Sequence, residues 1–490
     1  MANNLLGFFE NYSDGHIFGW ACNTDSPNTS VVVELIIDEV PVLAAEANIF
    51  RADLRNAGYG DGSHALKMKV PAEYFDSAPH KVALRIKDSE NNLPPSPTII
   101  VFGHRADGAS RNISLASMLP NAPTPLMSLI MPTYNRCAIM ERTVRAYTLC
   151  SRWEEVELIV VDDGSRDATA HRLAQISAEH KNIRTVSIEN SGPARARNLA
   201  ASMARAPLLL FIGDDVEPVD QYFIETHVKA HEAFPDNGAA VLGKITWPSR
   251  TDAQVNFVMQ HVQGEGQQQF GYKFMEPYRW YDWRQFYSSN LSLKRNIVSD
   301  WSRDGYDEQF TLAAYEDAEL GYRLTQQQNT QGRSFKLLYV PAAVLAHSHP
   351  YSVASFIRRQ VICGIMARRF FEKHPEIAAE IGIDEMNNKL REPVTDQPLP
   401  IEHYFTVFEG LKSWALILEQ HNGLGSQNWH GDFLKAIFRL AYCEGYLRTV
   451  ARADANLALA ARCVLDRTIG DLNQAIFREI IGSTSPPKLV

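Results

Sequence analysis

The segment that most constrains the fold of this chain is Leu208–Pro218, in which five apolar residues lead through Gly213 into two adjacent acids, Asp214 and Asp215. An apolar run of this length without polar alternation is typical of a strand buried on both faces of a parallel sheet. Ligands of open α/β sheets bind outside the carboxyl ends of such strands. Two neighbouring carboxylates repel each other unless a cation lies between them, and a divalent ion that bridges diphosphate oxygens is the usual solution. The alternative interpretation is an acidic turn in solvent.

Length and composition narrow the class of protein. A chain of 490 residues predicts about two to four domains. Its 45% hydrophobic and 21% charged residues argue against wholesale disorder, and its net charge of -9 argues against nucleic acid as the main partner. The six cysteines form no CxxC pair, and Met1–Gly7 lacks the basic and apolar regions of a secretory signal. No apolar run approaches the ~20 residues that span a bilayer. We therefore predict a cytoplasmic protein with reduced thiols.

Residues 1–108 are predicted to form an all-β sandwich, because short apolar or alternating runs recur between clusters of turn residues. Val82, Leu84 and Ile86 show the period of two that is typical of a half-buried strand. The predicted strands are His16–Cys22, Ser30–Ile37, Pro41–Ala47, His64–Val70, His80–Lys87 and Pro97–Phe102.

Three aromatic residues of this segment have two interpretations. Trp20, Phe50 and Tyr59 could stack on the rings of a bound sugar, which would make residues 1–108 an accessory carbohydrate-binding domain. Single aromatic residues of a small sandwich more often belong to its core, and we favour that interpretation. The polar, proline-containing residues 109–125 are predicted to be a linker.

Residues 126–350 alternate between strand and helix patterns, which predicts a mostly parallel, doubly wound sheet. The predicted strands are Leu126–Met131, Val156–Val161, Ile183–Ile188 and Leu208–Ile212. Polar clusters follow three of them: Pro132–Arg136, Asp162–Ser165 and the acids after Ile212. A helix with a glycine and two arginines at its start, Ser191–Asn198, follows the third strand. Because carboxyl ends of parallel strands share one sheet edge, these clusters are expected to converge there.

The convergent residue types suit a nucleotide. Asp163 could accept a hydrogen bond from a base, and Tyr134 could stack on that base. Arg195 or Arg197 could meet phosphate with a planar fork of donors, and Asp215 could hold a metal ion. Each residue alone could instead serve a turn, a helix cap or a solvated face. Because suitable residues occur at three successive strand ends, we favour the functional interpretation.

Two further groups occur toward the end of this region. Asp317 lies in the first turn of a predicted amphipathic helix, where it could act as a general base or simply favour the helix dipole. The apolar run Leu337–Leu345 leads to His347 and His349, which could be structural or could bind a metal near a diphosphate.

Residues 126–350 resemble the family 2 glycosyltransferases with the GT-A fold, because seven motifs occur in the order of that family. The matching segments are Ser128–Arg136, Val160–Ser165, Gly192–Asn198, Phe211–Asp215, Asn290–Leu293, Glu316–Arg323 and His347–His349. One position departs from the pattern: Gly213 stands where many members carry the first acid of an Asp-x-Asp element.

The resemblance implies a set of site residues. Asp317 would be the catalytic base, and a divalent metal ion, Mn²⁺ or Mg²⁺, would be bound by Asp215, His347 and His349. The acceptor or sugar would contact Asn290, Glu316 and Arg323. The donor nucleotide would contact Pro132, Thr133, Tyr134, Asn135, Arg136, Asp163, Arg195, Arg197 and Asp214.

The expected architecture is a multidomain α/β protein: a GT-A, Rossmann-like catalytic domain with a mostly parallel sheet, an N-terminal all-β sandwich and a C-terminal helical region over residues 351–490. The expected reaction is inverting sugar transfer from a nucleotide-diphosphate sugar, with UDP as the first choice of nucleotide, to a glycan or glycoconjugate acceptor. A non-catalytic glycan-binding scaffold and a nucleotidyltransferase remain alternatives. The basic amphipathic helix Ser355–Lys373 either docks on the catalytic domain or makes peripheral contact with the inner face of the membrane.

Overall fold

The computed structural model divides into two compact units. Unit 1 comprises residues 1–215, 220–229 and 292–305, and unit 2 comprises residues 216–219, 230–291 and 306–490. The structure describes residues 5–13, 15–74, 79–89, 92–93, 96, 98–101, 111–114, 124–248, 255–264, 268–269, 271–330, 335–394, 398–421, 424, 429–450 and 454–481.

Unit 1 begins with antiparallel strands that confirm the predicted sandwich. The strands are β1 (Leu5–Ser13), β2 (His16–Asn23), β3 (Val31–Ile37), β4 (Val40–Ala47), β5 (Ile49–Phe50), β6 (Ser63–Lys69), β7 (Pro79–Ile86), β8 (Thr98–Val101) and β9 (Arg111–Ser114), with helix α1 (Ala52–Asn56) after β5. One sheet has the order β1-β2-β6-β5, and the strands of the other run β4-β3-β7-β8-β9. Buried Ile17, Val33, Leu35 and Leu84 belong to the core that they share.

The α/β part of unit 1 follows the predicted alternation. Its elements are β10 (Met127–Thr133), α2 (Cys137–Thr148), β11 (Glu157–Asp162), α3 (Thr169–Glu179), β12 (Ile183–Ile188), α4 (Pro193–Met203) and β13 (Leu208–Ile212). The short strand β14 (Val216–Pro218) of unit 2 follows, and then helix α5 (Phe223–Ala233), whose residues 223–229 lie in unit 1. The parallel strands have the order β12-β11-β10-β13, so the strand order reverses between β10 and β13. Such a reversal opens a crevice at the carboxyl ends of the strands.

The sandwich is joined to the α/β part within unit 1. Strand β9 pairs antiparallel with β12, with Val186 opposite Ile113, although β9 falls inside the segment predicted to be a linker. The neighbouring linker residues 109–110 and 115–123 lie outside the described residues. The domain boundaries drawn from the sequence therefore stay a prediction.

Two of the three aromatic residues considered for sugar stacking pack inside unit 1. The rings of Trp20 and Tyr59 lie 4.8 Å apart, and the small core cluster that they join also contacts Ala174 of α3. The ring of Phe8, in the same cluster, lies 4.5 Å from that of His171. The interpretation as core therefore describes Trp20 and Tyr59, whereas Phe50 is 54% exposed.

Unit 2 contains the remaining strands of the α/β region. Strand β15 (Ala239–Thr246) pairs in parallel with the long strand β18 (Lys336–His347), and β14 and β16 (Trp280–Tyr281) pair with β18 in antiparallel fashion. Strand β17 (Asn290–Lys294) begins in unit 2 and continues into unit 1. Helices α6 (Phe257–Gln263) and α7 (Glu316–Thr330) complete this part.

The C-terminal residues of unit 2 are helical, as predicted. The helices are α8 (Val353–Lys373), α9 (Asp384–Arg391), α10 (Ile401–Gln420), α11 (Trp429–Leu447) and α12 (Asp454–Ile481). Ser352 and Ser355 form a capping box at the start of α8, which satisfies backbone N–H groups there. None of the described helices combines the length and the apolar character needed to cross a membrane.

Helices α8 and α11 cross at two glycines. A Cβ atom on Gly364 would lie 1.9 Å from the carbonyl oxygen of Tyr442, and one on Gly445 would lie 2.1 Å from that of Val361. The backbones therefore approach more closely than any side chain would permit. This contact covers part of the apolar face of α8, including Phe356, whose ring packs against that of Phe438 of α11. Docking of α8 on the catalytic domain and its contact with a membrane stay predictions.

Gly364→Ala is expected to lower the free energy of unfolding by about 1–3 kcal/mol, because the two backbones must separate. Gly410→Ala is the matched control, since a Cβ atom at this exposed position of α10 meets nothing within 4 Å. This control should stabilise by up to ~1 kcal/mol through helix propensity. Chemical denaturation of both variants measures the two effects, and equal stability would contradict the close crossing.

Candidate active site

The acid pair predicted to end the strand of the opening segment lies at the carboxyl end of β13 in unit 1. Asp214 and Asp215 are only 5% and 9% exposed. Thr133 Oγ1, at the end of β10, donates to Asp214 Oδ2 at 2.7 Å. Arg136 Nη1 donates to Asp214 Oδ1 at 3.0 Å and to Asp215 Oδ2 at 2.6 Å. Arg136 thus forms one buried ionic cluster with two acids that lie 78 and 79 positions further along the chain.

The electrostatics of this cluster follow from burial. Burial and the adjacent charge of Asp215 raise the pKa of Asp214. Burial alone would lower the pKa of Arg136, but the charges of Asp214 and Asp215 raise it above its ordinary value. The guanidinium therefore stays charged and compensates the repulsion between the acids.

A second carboxylate, Asp163, fixes the loop before α4. Its Oδ1 accepts from the backbone N–H of Ser191 at 2.7 Å, and its Oδ2 accepts from that of Gly192 at 2.9 Å. Burial outweighs these hydrogen bonds and raises the pKa of Asp163 to about 6. Gly164 has a φ of +79°, and a Cβ atom there would lie 2.6 Å from the backbone nitrogen of Asn190. Only glycine permits this turn without strain.

The loops after β10 and β11 are held together by hydrogen bonds. The backbone N–H of Asn135 donates to Ser165 Oγ at 2.8 Å, and Asn135 Oδ1 accepts from the backbone N–H of Arg166 at 2.7 Å. Asn135 has a φ of +52°, a conformation that asparagine tolerates better than most residues. Its amide group thus shapes the loop, whereas neighbouring Tyr134 is 42% exposed.

The start of α4 supplies positive charge and oriented backbone donors. Gly192 has a φ of +93°, and Pro193 occupies the first turn, where its missing N–H costs nothing. Arg195 is half-buried, whereas Arg197 is 7% exposed. The amino end of a helix carries partial positive charge and favours anions.

Asp317 lies in the first turn of α7 in unit 2. Its Oδ2 accepts from the backbone N–H of Ser288 at 3.2 Å, and its Oδ1 accepts from the backbone N–H of Ala318 at 2.8 Å. Tyr315, two residues before Asp317, has a φ of +64°, which is strained for a tyrosine. Arg359 of α8 donates to the carbonyl oxygen of Ala313 and so fixes the chain that enters α7. These contacts hold the carboxylate in one position.

The three residues predicted to contact the acceptor have internal partners. Arg323 Nε donates to both carboxylate oxygens of Glu319, at 2.8 and 3.0 Å. Asn290 is fully buried, and its amide nitrogen donates to the carbonyl oxygens of Lys244 and Ala343 at 3.0 Å each. Glu316 is 4% exposed. Acceptor contact by these residues stays a prediction.

The histidines predicted to bind metal end β18 in unit 2. His347 pairs with Val216 of β14, the residue that follows Asp215 in the chain. Its ring lies 5.4 Å from that of Trp247 and 6.1 Å from that of His349. Ser348 Oγ donates to Glu217 Oε1 at 2.7 Å. Across the described ranges, no three His, Cys, Asp or Glu side chains are grouped so that they could hold a metal ion.

Sequence reasoning missed several residues that shape these sites. Ser288 and Arg359 hold the segment around Asp317, yet nothing local marks them, and Glu319 was recognised only as part of the Glu316–Arg323 motif. Ser165 was recognised only as part of a turn, although its hydroxyl accepts from Asn135 across two loops. The position of Ser165 at the end of the Asp162–Ser165 motif was the one sequence signal for this hydrogen bond.

Comparison with known proteins indicates the protein family that this chain resembles. Residues 128–300 match the family described as glycosyl transferase family 2. The validoxylamine A glucosyltransferase of Streptomyces hygroscopicus subsp. jinggangensis is 28% identical over 313 residues, which cover 58% of this chain and 70% of that relative. Its counterpart in Streptomyces hygroscopicus subsp. limoneus is 28% identical over 315 residues, which cover 58% of this chain and 65% of that relative. Residues 128–300 therefore match a family 2 glycosyltransferase domain, and this match supports a glycosyltransferase enzyme.

Among solved structures, the mannosyltransferase PcManGT from Pyrobaculum calidifontis, in complex with GDP-Man and Mn²⁺, aligns with a TM-score of 0.42 at 16% identity. The alignment covers 67% of this chain and 89% of that chain. The predicted GT-A type of α/β domain, with N-terminal antiparallel strands and C-terminal helices, agrees with the described fold.

Proposed function

We propose that this protein transfers a sugar from a nucleotide-diphosphate donor to an acceptor hydroxyl, with inversion at the anomeric carbon. The observation that carries the proposal is the grouping of polar side chains at three strand ends of unit 1. Thr133 ends β10 and Arg136 follows it, Asp163 follows β11, and Asp214 and Asp215 follow β13. The strand order reverses at this edge of the sheet, and nucleotides bind at such a reversal in related architectures.

In this proposal, the loop residues of unit 1 bind the donor. Asp163 and exposed Tyr134 contact the base, and Asp214 contacts the ribose. Arg195 and Arg197 balance the charge of the diphosphate at the start of α4. Pro132, Thr133, Asn135 and Arg136 shape the same pocket. UDP remains the preferred nucleotide.

The acid pair suits a divalent metal ion, Mn²⁺ or Mg²⁺. Hard cations prefer carboxylate oxygens, and the guanidinium of Arg136 already lies as a cation between Asp214 and Asp215. Asp215 and a histidine, His347 or His349, are the residues proposed to bind the metal. When bound, the metal would stabilise negative charge on the departing diphosphate.

Asp317 is proposed to remove the proton of the acceptor hydroxyl as its oxygen attacks. A carboxylate held by the Ser288 backbone N–H is fixed in position, which efficient general-base catalysis requires. Single displacement needs one base and no nucleophilic carboxylate, and it inverts the anomeric carbon. Asn290, Glu316 and Arg323 would line or support the acceptor side.

The finer biological assignment is also a proposal. The acceptor would be a glycan or glycoconjugate, in surface polysaccharide or glycoconjugate synthesis, and residues 1–108 would help to hold it. The protein would act in the cytoplasm, with peripheral membrane contact through the C-terminal helices. The two relatives are named for glucosyl transfer to validoxylamine A, which supports a small or oligomeric hydroxylated acceptor.

Product analysis tests the proposed reaction. The protein is incubated with UDP-glucose, UDP-GlcNAc and GDP-mannose, each with Mn²⁺ and with or without an oligosaccharide acceptor, and the released nucleotide is identified by ion-exchange chromatography. Release of nucleoside diphosphate that depends on the acceptor supports sugar transfer. In a parallel incubation with a nucleoside triphosphate and a sugar phosphate, release of pyrophosphate would favour the nucleotidyltransferase instead. Donor binding without any turnover would favour the non-catalytic scaffold.

Donor affinity is expected to fall as the pH is lowered through about 6, the pKa of buried Asp163. Protonation removes an acceptor that the base and the loop before α4 both use. Because the raised pKa favours the protonated form of Asp163 in the folded protein, the contribution of this residue to the free energy of unfolding falls as the pH rises from 3.8 to about 6. Calorimetric titration with UDP across this range measures the effect. Asp163→Asn should bind weakly and without this pH dependence, and an unchanged profile in that variant would exclude Asp163 as its cause.

A further inference from the structure

Arg136 forms ion pairs with both members of the acid pair. Its single nitrogen Nη1 lies 3.0 Å from Asp214 Oδ1 and 2.6 Å from Asp215 Oδ2. The Arg136 side chain is 34% exposed, whereas those of the two acids are 8% and 12% exposed. The guanidinium thus reaches from the rim of the site to both buried carboxylates.

This contact sets a competition for one oxygen atom. Asp215 Oδ2, which accepts from Arg136, is also an atom that a divalent cation bound by Asp215 would use. Two cations on the same oxygen repel strongly in a site of low solvent exposure. A metal ion can therefore bind Asp215 Oδ2 only if Arg136 moves away or gives up this hydrogen bond.

A nucleotide diphosphate offers Arg136 a new partner. Arginine presents a planar fork of donors that fits phosphate oxygens, so the side chain can exchange a carboxylate for a phosphate without losing charge pairing. Arg136 lies directly before α2, on the loop that the hydrogen bond between Asn135 and Ser165 anchors. Its backbone can therefore stay fixed while the side chain changes partner.

We infer that Arg136 is an internal counter-ion of the acid pair that blocks metal binding by the free protein. When a nucleotide diphosphate binds, Arg136 releases Asp215. The inference rests on the proposed function and deepens it, because it couples metal binding to nucleotide binding. Metal and nucleotide then bind cooperatively: each strengthens the binding of the other by the same factor. The donor thus enters as a complex with its metal, and the empty site does not collect metal ions.

Mn²⁺ binding to the full chain without nucleotide tests this role directly. Electron paramagnetic resonance counts free Mn²⁺ and needs no turnover. Arg136→Gln is expected to bind Mn²⁺ about tenfold more tightly than the wild type. Arg145→Gln is the matched control, because Arg145 lies on α2 with its side chain 63% exposed and paired with Glu141. It should bind Mn²⁺ as the wild type does.

The same titrations with UDP present give the second readout. UDP should tighten Mn²⁺ binding about tenfold in the wild type, and clearly less in Arg136→Gln, where the competitor is already absent. Equal Mn²⁺ affinity of the wild type and Arg136→Gln without nucleotide would overturn the inference. If the glutamine variant is not recovered folded, Arg136→Lys replaces it. The compact ammonium of lysine should compete less well, and a wild-type Mn²⁺ affinity in that variant would overturn the inference as well.

These outcomes are separate from those of the proposed function. Tighter Mn²⁺ binding by Arg136→Gln together with no release of nucleoside diphosphate would uphold the counter-ion and reject the transferase. Release of nucleoside diphosphate together with unchanged Mn²⁺ affinity would do the reverse.

Discussion

Asp317→Asn is expected to reduce the rate of sugar transfer by a factor of about 10²–10⁴, the usual contribution of a positioned general base. The amide has nearly the same shape as the carboxylate and can still accept from the backbone N–H of Ser288. It cannot take up the proton of the acceptor hydroxyl. The loss should therefore appear in kcat, while nucleotide binding changes little.

Asp384→Asn provides the control for this prediction. Asp384 is also an acid in the first turn of a helix of unit 2, α9, and it is exposed. Its replacement should leave transfer unchanged. If Asp317→Asn keeps the turnover of the wild type at saturating donor and acceptor, Asp317 is not the base.

Glu319→Gln is expected to lower the free energy of unfolding by about 3–5 kcal/mol, because it breaks a buried ionic cluster. The Glu319 side chain is fully buried, and its Oε1 lies 2.6 Å from Lys373 Nζ and 3.2 Å from His374 Nε2. Arg323 of α7 pairs with the same carboxylate. Removing the negative charge leaves the cationic groups around it poorly compensated.

The acid stability of the protein should depend on the same residue. Burial alone would raise the pKa of Glu319, but His374, Arg323 and Lys373 together hold it at about 2. The stabilisation is therefore complete above the ordinary value of 4.5 and is lost as the pH falls from 4.5 to about 2. Thermal unfolding at neutral and acidic pH should show this loss in the wild type and not in Glu319→Gln.

The exposed acid Glu372 gives a matched comparison on α8. It pairs with Arg368, and its side chain is 47% exposed, so Glu372→Gln should cost about 1 kcal/mol or less. Equal melting temperatures of the two glutamine variants would show that the Glu319 cluster contributes no more than a surface pair.

The sequence was most informative where local pattern decides structure. The strands Ile183–Ile188 and Leu208–Ile212 have the predicted bounds, because continuous apolar runs between turn residues leave few alternatives. The polar clusters of unit 1 could be placed on one edge because parallel strands share a direction.

Features that depend on distant partners could not be predicted. Strand β1 escaped detection because both of its faces are covered: Phe9 belongs to the sandwich core, whereas Phe8 belongs to the cluster that also contacts Ala174. The bridge from Arg136 to the acid pair joins residues nearly eighty positions apart. The partners of Glu319 on α8 follow from packing alone, since no local signal relates an acid of one helix to the end of another.

The central claim is that unit 1 binds a nucleoside diphosphate with a divalent metal at the acid pair. Isothermal titration calorimetry of the full chain against UDP, GDP, dTDP and CMP, each with and without Mn²⁺, tests it most directly. We expect one diphosphate to bind in a metal-dependent manner and to lose that binding in Asp215→Ala. Binding of no nucleotide under any of these conditions, or equal binding by Asp215→Ala, would contradict the account.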